Sequence, residues 1–228
     1  MVDSIAIRTR YFDDFFLDAM NAGVRQAVIL ASGLDTRAYR LPWVAGSTVF
    51  EVDQPQVIEF KTATLSRLGV RPPVRHRPLA VDLRNDWPAA LRAAGFDPGA
   101  PAAWIAEGLL IYLPPEAGEK LFDDVDTLSG PGSRMATEDV AGITGEQLAR
   151  ISGRMKTMRD PNSGEAPVDV ADLWYVGERR QASDYLAAKG WTATTERTTA
   201  LFGKYGLALP EGPVTPFGDP VYVTAIRA

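Results

Sequence analysis

Four acidic residues in this 228-residue chain stand at the ends of predicted strands or just beyond them. The acids are Asp35, Asp53, Asp82 and Glu107, and the apolar runs nearest to them are Ala27–Leu30, Thr48–Val52, Val74–Val81 and Ala102–Ala106. In an open α/β sheet, ligands bind outside the carboxyl ends of the strands. A carboxylate in that position accepts hydrogen bonds from hydroxyl, amine or ammonium groups. We therefore expect these acids to face a ligand that carries such donors.

The first two apolar runs belong to one βαβ unit. Ala27–Leu30 is short and continuously apolar, as is typical of a parallel strand buried on both faces. A turn at Gly33 follows, and Asp35-Thr36 supplies N-cap chemistry for a short helix that ends before Pro42. The second run ends in Asp53, about twenty residues after the glycine, which is the usual offset for a carboxylate that binds ribose hydroxyls. The spacing predicts a nucleoside site.

The turn after the first strand favours one kind of nucleoside ligand. A dinucleotide site needs several glycines, so that backbone N–H groups reach a pyrophosphate at a helix N-terminus. The turn at residues 31–35 has a single glycine, and Asp35 would repel a pyrophosphate. S-adenosylmethionine, which joins adenosine to a sulfonium and an amino-acid tail, meets no such repulsion. The spacing alone also fits an ordinary α/β turn, so that alternative stays open at this point.

The amino-acid sequences of these motifs resemble those of the leucine carboxyl methyltransferase-like family. Within that family they resemble the actinobacterial branch of S-adenosyl-L-methionine-dependent methyltransferases. The matching segments are Arg8–Asp14, Leu30–Arg40, Phe50–Pro55, Ala80–Arg84, Ala106–Leu113 and Leu173–Glu178. The resemblance implies an α/β doubly wound, Rossmann-like class I methyltransferase fold. Its seven-stranded sheet would be mostly parallel, with the last strand antiparallel. It also implies a single domain over residues 1–228, with roughly residues 140–174 as a substrate-cap insertion.

The resemblance also implies roles for individual residues. The expected cofactor-binding residues are Arg8 for the cofactor carboxylate, Ala31 and Gly33 for the methionine portion, Asp53 for the ribose, Asp82 and Leu83 for adenine, and Glu107 for the amino group. Each acid has a simpler alternative as a helix cap or a solvated side chain. Arg8 has the alternative of a surface arginine, with Arg10 as its competitor.

Residues on the acceptor side are expected to include Glu107 and Tyr112 as catalytic candidates, with Trp174 and Tyr175 as pocket walls. A packed core position is the alternative for the aromatic residues. A carboxylate acceptor is already anionic near pH 7 and needs no base. A hydroxyl acceptor would need one, and Glu107 is then the first candidate.

The sequence lacks residues that several other classes of protein require. His76 is the only histidine and no Gly-x-Ser-x-Gly stretch is present, so a Ser-His-Asp hydrolase is disfavoured and His76 is expected to be structural. The chain has no cysteine, which excludes disulfides and cysteine-ligated zinc, and we expect no metal site. A nicotinamide dehydrogenase is disfavoured by the single-glycine turn.

Composition limits the partners and the compartment. The net charge is −5, which gives no basic surface for nucleic acid. No apolar run approaches the roughly 20 residues that span a bilayer. The first residues lack the basic and apolar regions of a secretory signal, which favours the cytoplasm. The expected partner is a small-molecule or peptide methyl acceptor, and the oligomeric state is left open.

The remaining pattern alternates helices and strands, as a doubly wound sheet requires. Helices are predicted at Tyr11–Met20, Gln54–Leu68, Trp87–Gly95, Pro114–Leu128, Thr144–Met158 and Glu178–Lys189, and further strands at Ser133–Glu138, Trp191–Thr195 and Val221–Ile226.

The leading hypothesis is an S-adenosyl-L-methionine-dependent O-methyltransferase acting on a carboxylate or hydroxyl. The alternative is a catalytically silent S-adenosylmethionine-binding protein of the same fold. The resemblance implies a further segment ahead of the position that matches Arg8, which stands seven residues after the first residue here. Without such a segment, we expect the methionine end of the pocket to be wetter and methyl transfer to be slow or absent.

Overall fold

The computed structural model describes residues 2–139, 149, 173–175, 178–212, 214–215 and 218–228. The strands are β1 (Gln26–Leu30), β2 (Thr48–Asp53), β3 (Arg75–Ala80), β4 (Ala102–Ala106), β5 (Arg134–Asp139), β6 (Trp191–Arg197) and β7 (Val221–Arg227). The described helices are α1 (Val2–Asn21), α2 (Arg37–Arg40), α3 (Pro55–Arg67), α4 (Trp87–Ala93), α5 (Pro115–Thr127), α6 (Ala182–Ala188) and α7 (Thr198–Lys204). A 3₁₀ helix covers Leu110–Tyr112.

The seven strands form one sheet in the order β3-β2-β1-β4-β5-β7-β6. The first five strands are parallel, and β7 runs antiparallel to both β5 and β6. Leu30 is in register with Val52 on one side and with Ala106 on the other. Asp53 is in register with Ala80. Four strands therefore end at nearly the same level, which brings the acids that follow them to one edge. The expected fold class is confirmed.

Helices cover both faces of the sheet because the central strands are apolar on both sides. Val28 and Leu30 of β1 belong to a core that includes residues of α4, α5 and α6. Ala27 and Ile29 of the same strand belong to a second core, which includes residues of α1, α2 and α7. The alternation of side chains along a strand produces this division. Helices α1 and α2 therefore share one core, and both lie near the ends of β1 and β4, where the site is built.

Several element boundaries differ from the sequence prediction. Helix α1 begins at Val2 rather than Tyr11, and it buries Ile7 in the same core as its aromatic residues. Helix α6 begins at Ala182 rather than Glu178, and α7 was not predicted. Of the Asp35-Thr36 pair expected to cap α2, Thr36 makes no side-chain capping bond, whereas Asp35 accepts from the backbone N–H of Arg37 at 2.6 Å. The helix predicted at residues 144–158 and nearly all of the predicted cap at 140–174 lie outside the described residues.

The described residues include neither a helix that could cross a membrane nor a cluster that could hold a metal ion. None of the helices described is long and apolar enough to cross a membrane. No group of three His, Asp or Glu side chains in that part of the chain is placed to hold a metal ion.

Candidate functional site

A pocket of about 330 Å³ lies between α1 and the carboxyl ends of β1 and β4. Its lining residues include Arg8 and Thr9 of α1, Ala31, Ser32, Leu34 and Asp35 after β1, Thr36, Arg37 and Arg40 at α2, and Glu107 after β4. Three expected cofactor residues, Arg8, Ala31 and Glu107, therefore share one cavity. The other expected residues, Gly33, Asp53, Asp82, Leu83 and Tyr112, do not line it.

The turn after β1 is strained and is held by Asp53. Ala31 has a φ of 49° and Gly33 a φ of 47°, both in the left-handed region that disfavours side chains. The backbone N–H of Gly33 donates to Oδ2 of Asp53 at 2.6 Å, and that of Gln54 donates to Oδ1 at 2.7 Å. Each carboxylate oxygen keeps a further lone pair. Asp53 thus shapes the glycine turn and retains acceptor capacity next to it.

Asp82 lies two residues after β3, in a segment that contacts the end of β2. The N–H of Val81 donates to the carbonyl oxygen of Asp53 at 2.9 Å, which brings the two chain segments together. The Asp82 carboxylate is engaged by Arg84: Nε donates to Oδ1 at 2.9 Å and Nη2 to Oδ2 at 2.6 Å. These bonds lower the pKa of Asp82. Leu83 is partly buried and packs on the core. The structure therefore pairs the expected adenine contact with an arginine of its own chain.

Arg8 lies between two carboxylates. Its Nη2 donates to Oε1 of Glu138 at 2.5 Å, and its Nε lies 3.2 Å from Oε1 of Glu107. The backbone N–H of Gly108 donates to the same Glu138 oxygen at 2.7 Å. Burial raises the pKa of Glu138, and Arg8 and the Gly108 N–H oppose that rise without cancelling it. Glu138 therefore fastens α1 to the loop after β4.

Arg37 is the most connected side chain of the pocket wall, with a side chain only 4% exposed. Its Nε donates to Oδ1 of Asp13 at 2.7 Å, its Nη1 to Oε2 of Glu107 at 2.7 Å, and its Nη2 to the carbonyl oxygen of Thr9 at 3.3 Å. Nη1 also pairs with Asp35. Burial alone would lower the pKa of Arg37, but Asp35, Glu107 and Asp13 outweigh burial and raise it. Arg37 is thus held as a cation among three acids.

The aromatic candidates lie away from this pocket. Tyr112 ends the 3₁₀ helix after β4 and is 45% exposed. The N–H of Tyr175 donates to the carbonyl oxygen of Ile111 at 3.0 Å, so residues 173–175 lie against that helix. Trp174 is buried. The predicted acceptor wall around these residues remains a prediction.

Sequence reasoning missed Arg37, Asp13 and Glu138. Glu138 could have been found, because it stands at the end of β5 just as the four acids considered stand near the ends of other strands. Arg37 and Asp13 lie inside the motifs that carry the resemblance, and nothing in their local spacing shows that α1 and α2 bring them into contact.

Comparison with known proteins places the chain among methyltransferases. Residues 1–126 match the family model described as "Leucine carboxyl methyltransferase". A protein from Mycobacterium avium (strain 104), named "Putative S-adenosyl-L-methionine-dependent methyltransferase", is 52% identical over the whole of this chain and 74% of its own length. A similarly named protein from Mycolicibacterium smegmatis is 53% identical over 98% of this chain and 73% of its own length.

Solved structures agree in fold. A crystal structure described as "a putative methyltransferase from Thermobifida fusca" matches with a TM-score of 0.59 at 20% identity, over 100% of this chain and 81% of that one. The magnesium protoporphyrin IX methyltransferase from Synechocystis PCC 6803, solved with bound S-adenosylhomocysteine, matches with a TM-score of 0.54 at 13% identity, over 99% and 86% of the two chains. At these identities the likeness concerns the fold alone.

Proposed function

Because the chain belongs to the leucine carboxyl methyltransferase family, we propose that it transfers the methyl group of S-adenosyl-L-methionine to an oxygen atom of a small molecule or peptide. The family makes it an S-adenosylmethionine-dependent methyltransferase. The oxygen acceptor and the roles of single residues are the further content of this proposal.

One observation carries the proposal: two opposite charges, Arg8 and Glu107, line the same pocket at the ends of β1 and β4. The amino-acid end of S-adenosylmethionine carries a carboxylate and an ammonium group. A protein that binds it therefore needs a cation for the carboxylate and an anion for the ammonium group. The guanidinium of Arg8 presents a fork of N–H donors suited to a carboxylate. Its contacts to Glu107 and Glu138 involve Nε and Nη2, and Nη1 has no partner among the described residues, so we assign Nη1 to the ligand carboxylate. Glu107 accepts from the ammonium group.

The adenosine end would extend from this pocket towards β2 and β3. Asp53 would accept from the ribose hydroxyls with the lone pairs that Gly33 and Gln54 leave free. Asp82 would accept from the exocyclic amine of adenine while Leu83 contacts the ring. Arg84 engages both oxygens of Asp82. The exposed side chain of Arg84 would therefore have to share those oxygens with adenine. The acidic edge also agrees with a ligand that has no phosphate.

Methyl transfer from a sulfonium needs little acid or base catalysis from the protein. S-adenosylmethionine supplies a methyl group on a sulfonium, whose departure leaves a neutral thioether, so no general acid is needed. The chain's own residues then orient the two reactants and exclude water. Glu107 accepts a hydrogen bond from Arg37 and lies 3.2 Å from Nε of Arg8, and these two charge contacts favour a role in holding the ligand over a role as general base. This favours a carboxylate acceptor, which is ionised near pH 7 without help.

Methyl transfer from radiolabelled S-adenosylmethionine to a panel of small carboxylates, peptides and alcohols would test the proposal. Alkaline treatment distinguishes the products, because a methyl ester releases its label as volatile methanol whereas a methyl ether does not. We expect base-labile label. Base-stable label would assign a hydroxyl acceptor and return Glu107 to the role of base. Calorimetric binding of NAD, with no binding of S-adenosylmethionine, would overturn the proposal as a whole.

A further inference from the structure

Arg37 links three separate parts of the chain through one buried guanidinium. Asp13 and Thr9 belong to α1, Asp35 to the turn after β1, and Glu107 to the loop after β4. The backbone N–H of Arg37 also donates to Asp35 at 2.6 Å. All three side-chain nitrogens have partners within the protein, so Arg37 does not need a ligand to satisfy its donors.

The two charges proposed for the amino-acid end depend on this link. Arg8 directly precedes Thr9, the first residue of α1 that Arg37 contacts, and Glu107 is held by Arg37 directly. Displacing Arg37 would free Glu107 to pair with Arg8 alone, and the two groups would neutralise each other inside the pocket. With Arg37 in place, Oε2 of Glu107 accepts from Nη1 of Arg37, and Oε1 lies 3.2 Å from Nε of Arg8. The two pocket charges therefore keep a fixed spacing.

We infer that Arg37 is a positioning residue that fixes Arg8 relative to Glu107, so that the pocket selects ligands ending in an amino acid. The inference rests on the proposed function, because it concerns the same cofactor. Arg37 itself would not contact the reacting atoms.

A purely structural role is the competing explanation, and the magnitudes argue against it as the whole account. Removing two or more charges from water costs several kcal/mol per ion, and a well-packed apolar cluster of similar volume is often as stable. A buried ionic cluster is therefore weak support for stability alone. A cluster whose members also line a pocket, as Asp35, Arg37 and Glu107 do, offers a binding geometry that apolar residues do not.

The test compares two ligands that differ only at the amino-acid end. S-adenosylhomocysteine carries the amino acid, and 5′-methylthioadenosine has a methyl group in its place. Calorimetric dissociation constants for both would be measured for the wild-type chain, Arg37→Gln, Arg37→Lys and Asp13→Asn. Arg10→Gln is the matched control, because it breaks an exposed arginine–aspartate pair on the same helix outside the pocket.

We expect wild type to prefer S-adenosylhomocysteine, and Arg37→Gln to lose about tenfold or more of that preference, the factor that one charge-assisted hydrogen bond carries. Arg37→Lys should restore the charge without the preference, since a single ammonium cannot reach Asp13 and Glu107 together. Asp13→Asn should give a smaller loss in the same direction. Arg10→Gln should keep the wild-type ratio.

The other outcomes of this calorimetric comparison can be distinguished from one another. If Arg37→Gln fails to fold, Arg37→Lys and Asp13→Asn decide the inference, because each keeps part of the cluster. A wild-type preference that survives in the folded Arg37 and Asp13 variants, with equal weakening of both ligands, would overturn the inference and leave the proposed function intact. Failure of wild type to bind either ligand would overturn the proposed function, and the inference with it.

Discussion

Gly108 allows Arg8 to reach its place beside Glu138. The glycine has a φ of 63°, and a Cβ built there would collide with the guanidinium of Arg8. Gly108→Ala should therefore cost roughly 1–2 kcal/mol for the left-handed backbone and in addition push Arg8 aside, lowering affinity for S-adenosylhomocysteine. Gly23→Ala is the matched control, because Gly23 has a φ of 92° with open space around it. Urea unfolding and calorimetry would measure the two effects, and equal affinities for the two variants would show that Arg8 is not needed there.

Asp53 offers a second prediction at the residue scale. Asp53→Ala removes an acceptor that holds Gly33 and is proposed to bind the ribose. Hydrogen bonds to a charged group contribute about 1.5–3 kcal/mol each, so affinity for 5′-methylthioadenosine should fall at least about tenfold. Asp86→Ala is the control: Asp86 caps α4 through the Ala89 N–H, so its loss should reduce stability and leave affinity unchanged. Calorimetry that finds unchanged affinity in Asp53→Ala would leave this acid only its structural role.

How much of the site is predictable also shows at this scale. The placement of Asp53 and Glu107 at one edge of the sheet can be predicted from the sequence, because parallel strands in register end at the same edge. Arg37 does not follow from any local rule, since its partners lie 24 residues away in one direction and 70 in the other. A buried ion pair of that kind is created by the packing of α1 against the sheet. It can be read only after the tertiary fold is known.

Helix α3 is fastened to the sheet by a buried ionic cluster. Nζ of Lys61 lies 2.7 Å from Oε2 of Glu51, and Nε2 of His76 lies 3.0 Å from the same oxygen. Glu51 is wholly buried, and its other oxygen has no hydrogen-bond partner among the described residues. The only histidine of the chain thus sits on β3 against β2, away from the pocket, as a structural role requires.

Lys61→Met should destabilise the chain by about 3–5 kcal/mol, because it leaves the Glu51 charge buried with less compensation. Adding Glu51→Gln to the same chain should recover part of that loss. Lys120→Met is the control, since Lys120 is 73% exposed and its pair with Asp124 should contribute under about 0.5 kcal/mol. Urea unfolding would measure all three, and a loss for Lys61→Met no greater than that of the control would show that the cluster tolerates a missing cation.

Element types were predictable where the sequence pattern was strong, and boundaries were not. The apolar run of β4 gave Ala102–Ala106 with no error at either end, because that strand is buried throughout. Helix α1 begins nine residues before the prediction, since its first turns have few aromatic residues and hold only Ser4 and Ile7 in buried positions. Helix α7 has seven residues and no apolar period long enough to recognise, so it was missed.

At the scale of the whole molecule, stability should depend on the proton held by Asp139. Burial raises the pKa of this carboxyl from 3.8 to about 6, with the Ala182 N–H and Arg179 opposing the rise. The folded state therefore binds this proton more tightly than the unfolded state does. Its contribution to stability is full below about pH 4 and is lost as the pH rises through about 6.

Asp139→Asn should remove this dependence while its side-chain oxygen still accepts from Ala182. We expect the variant to be more stable than wild type by roughly 1–3 kcal/mol near pH 8 and equal to it near pH 4. Urea unfolding of both chains at the two pH values would measure the difference, which cancels the titration of every other group. A gain of the same size at both pH values would assign the effect to packing.

The position of β7 also governs how the chain assembles as it is made. β7 lies between β5 and β6 in the sheet, yet it follows both in the sequence, and β6 has β7 as its neighbouring strand. A nascent chain that has released β6 from the ribosome but not yet β7 carries the five parallel strands together with an isolated strand. Such a strand presents unpaired backbone groups that attract other chains. Chaperone capture and misassembly should therefore concentrate in the interval between the emergence of residue 197 and that of residue 221.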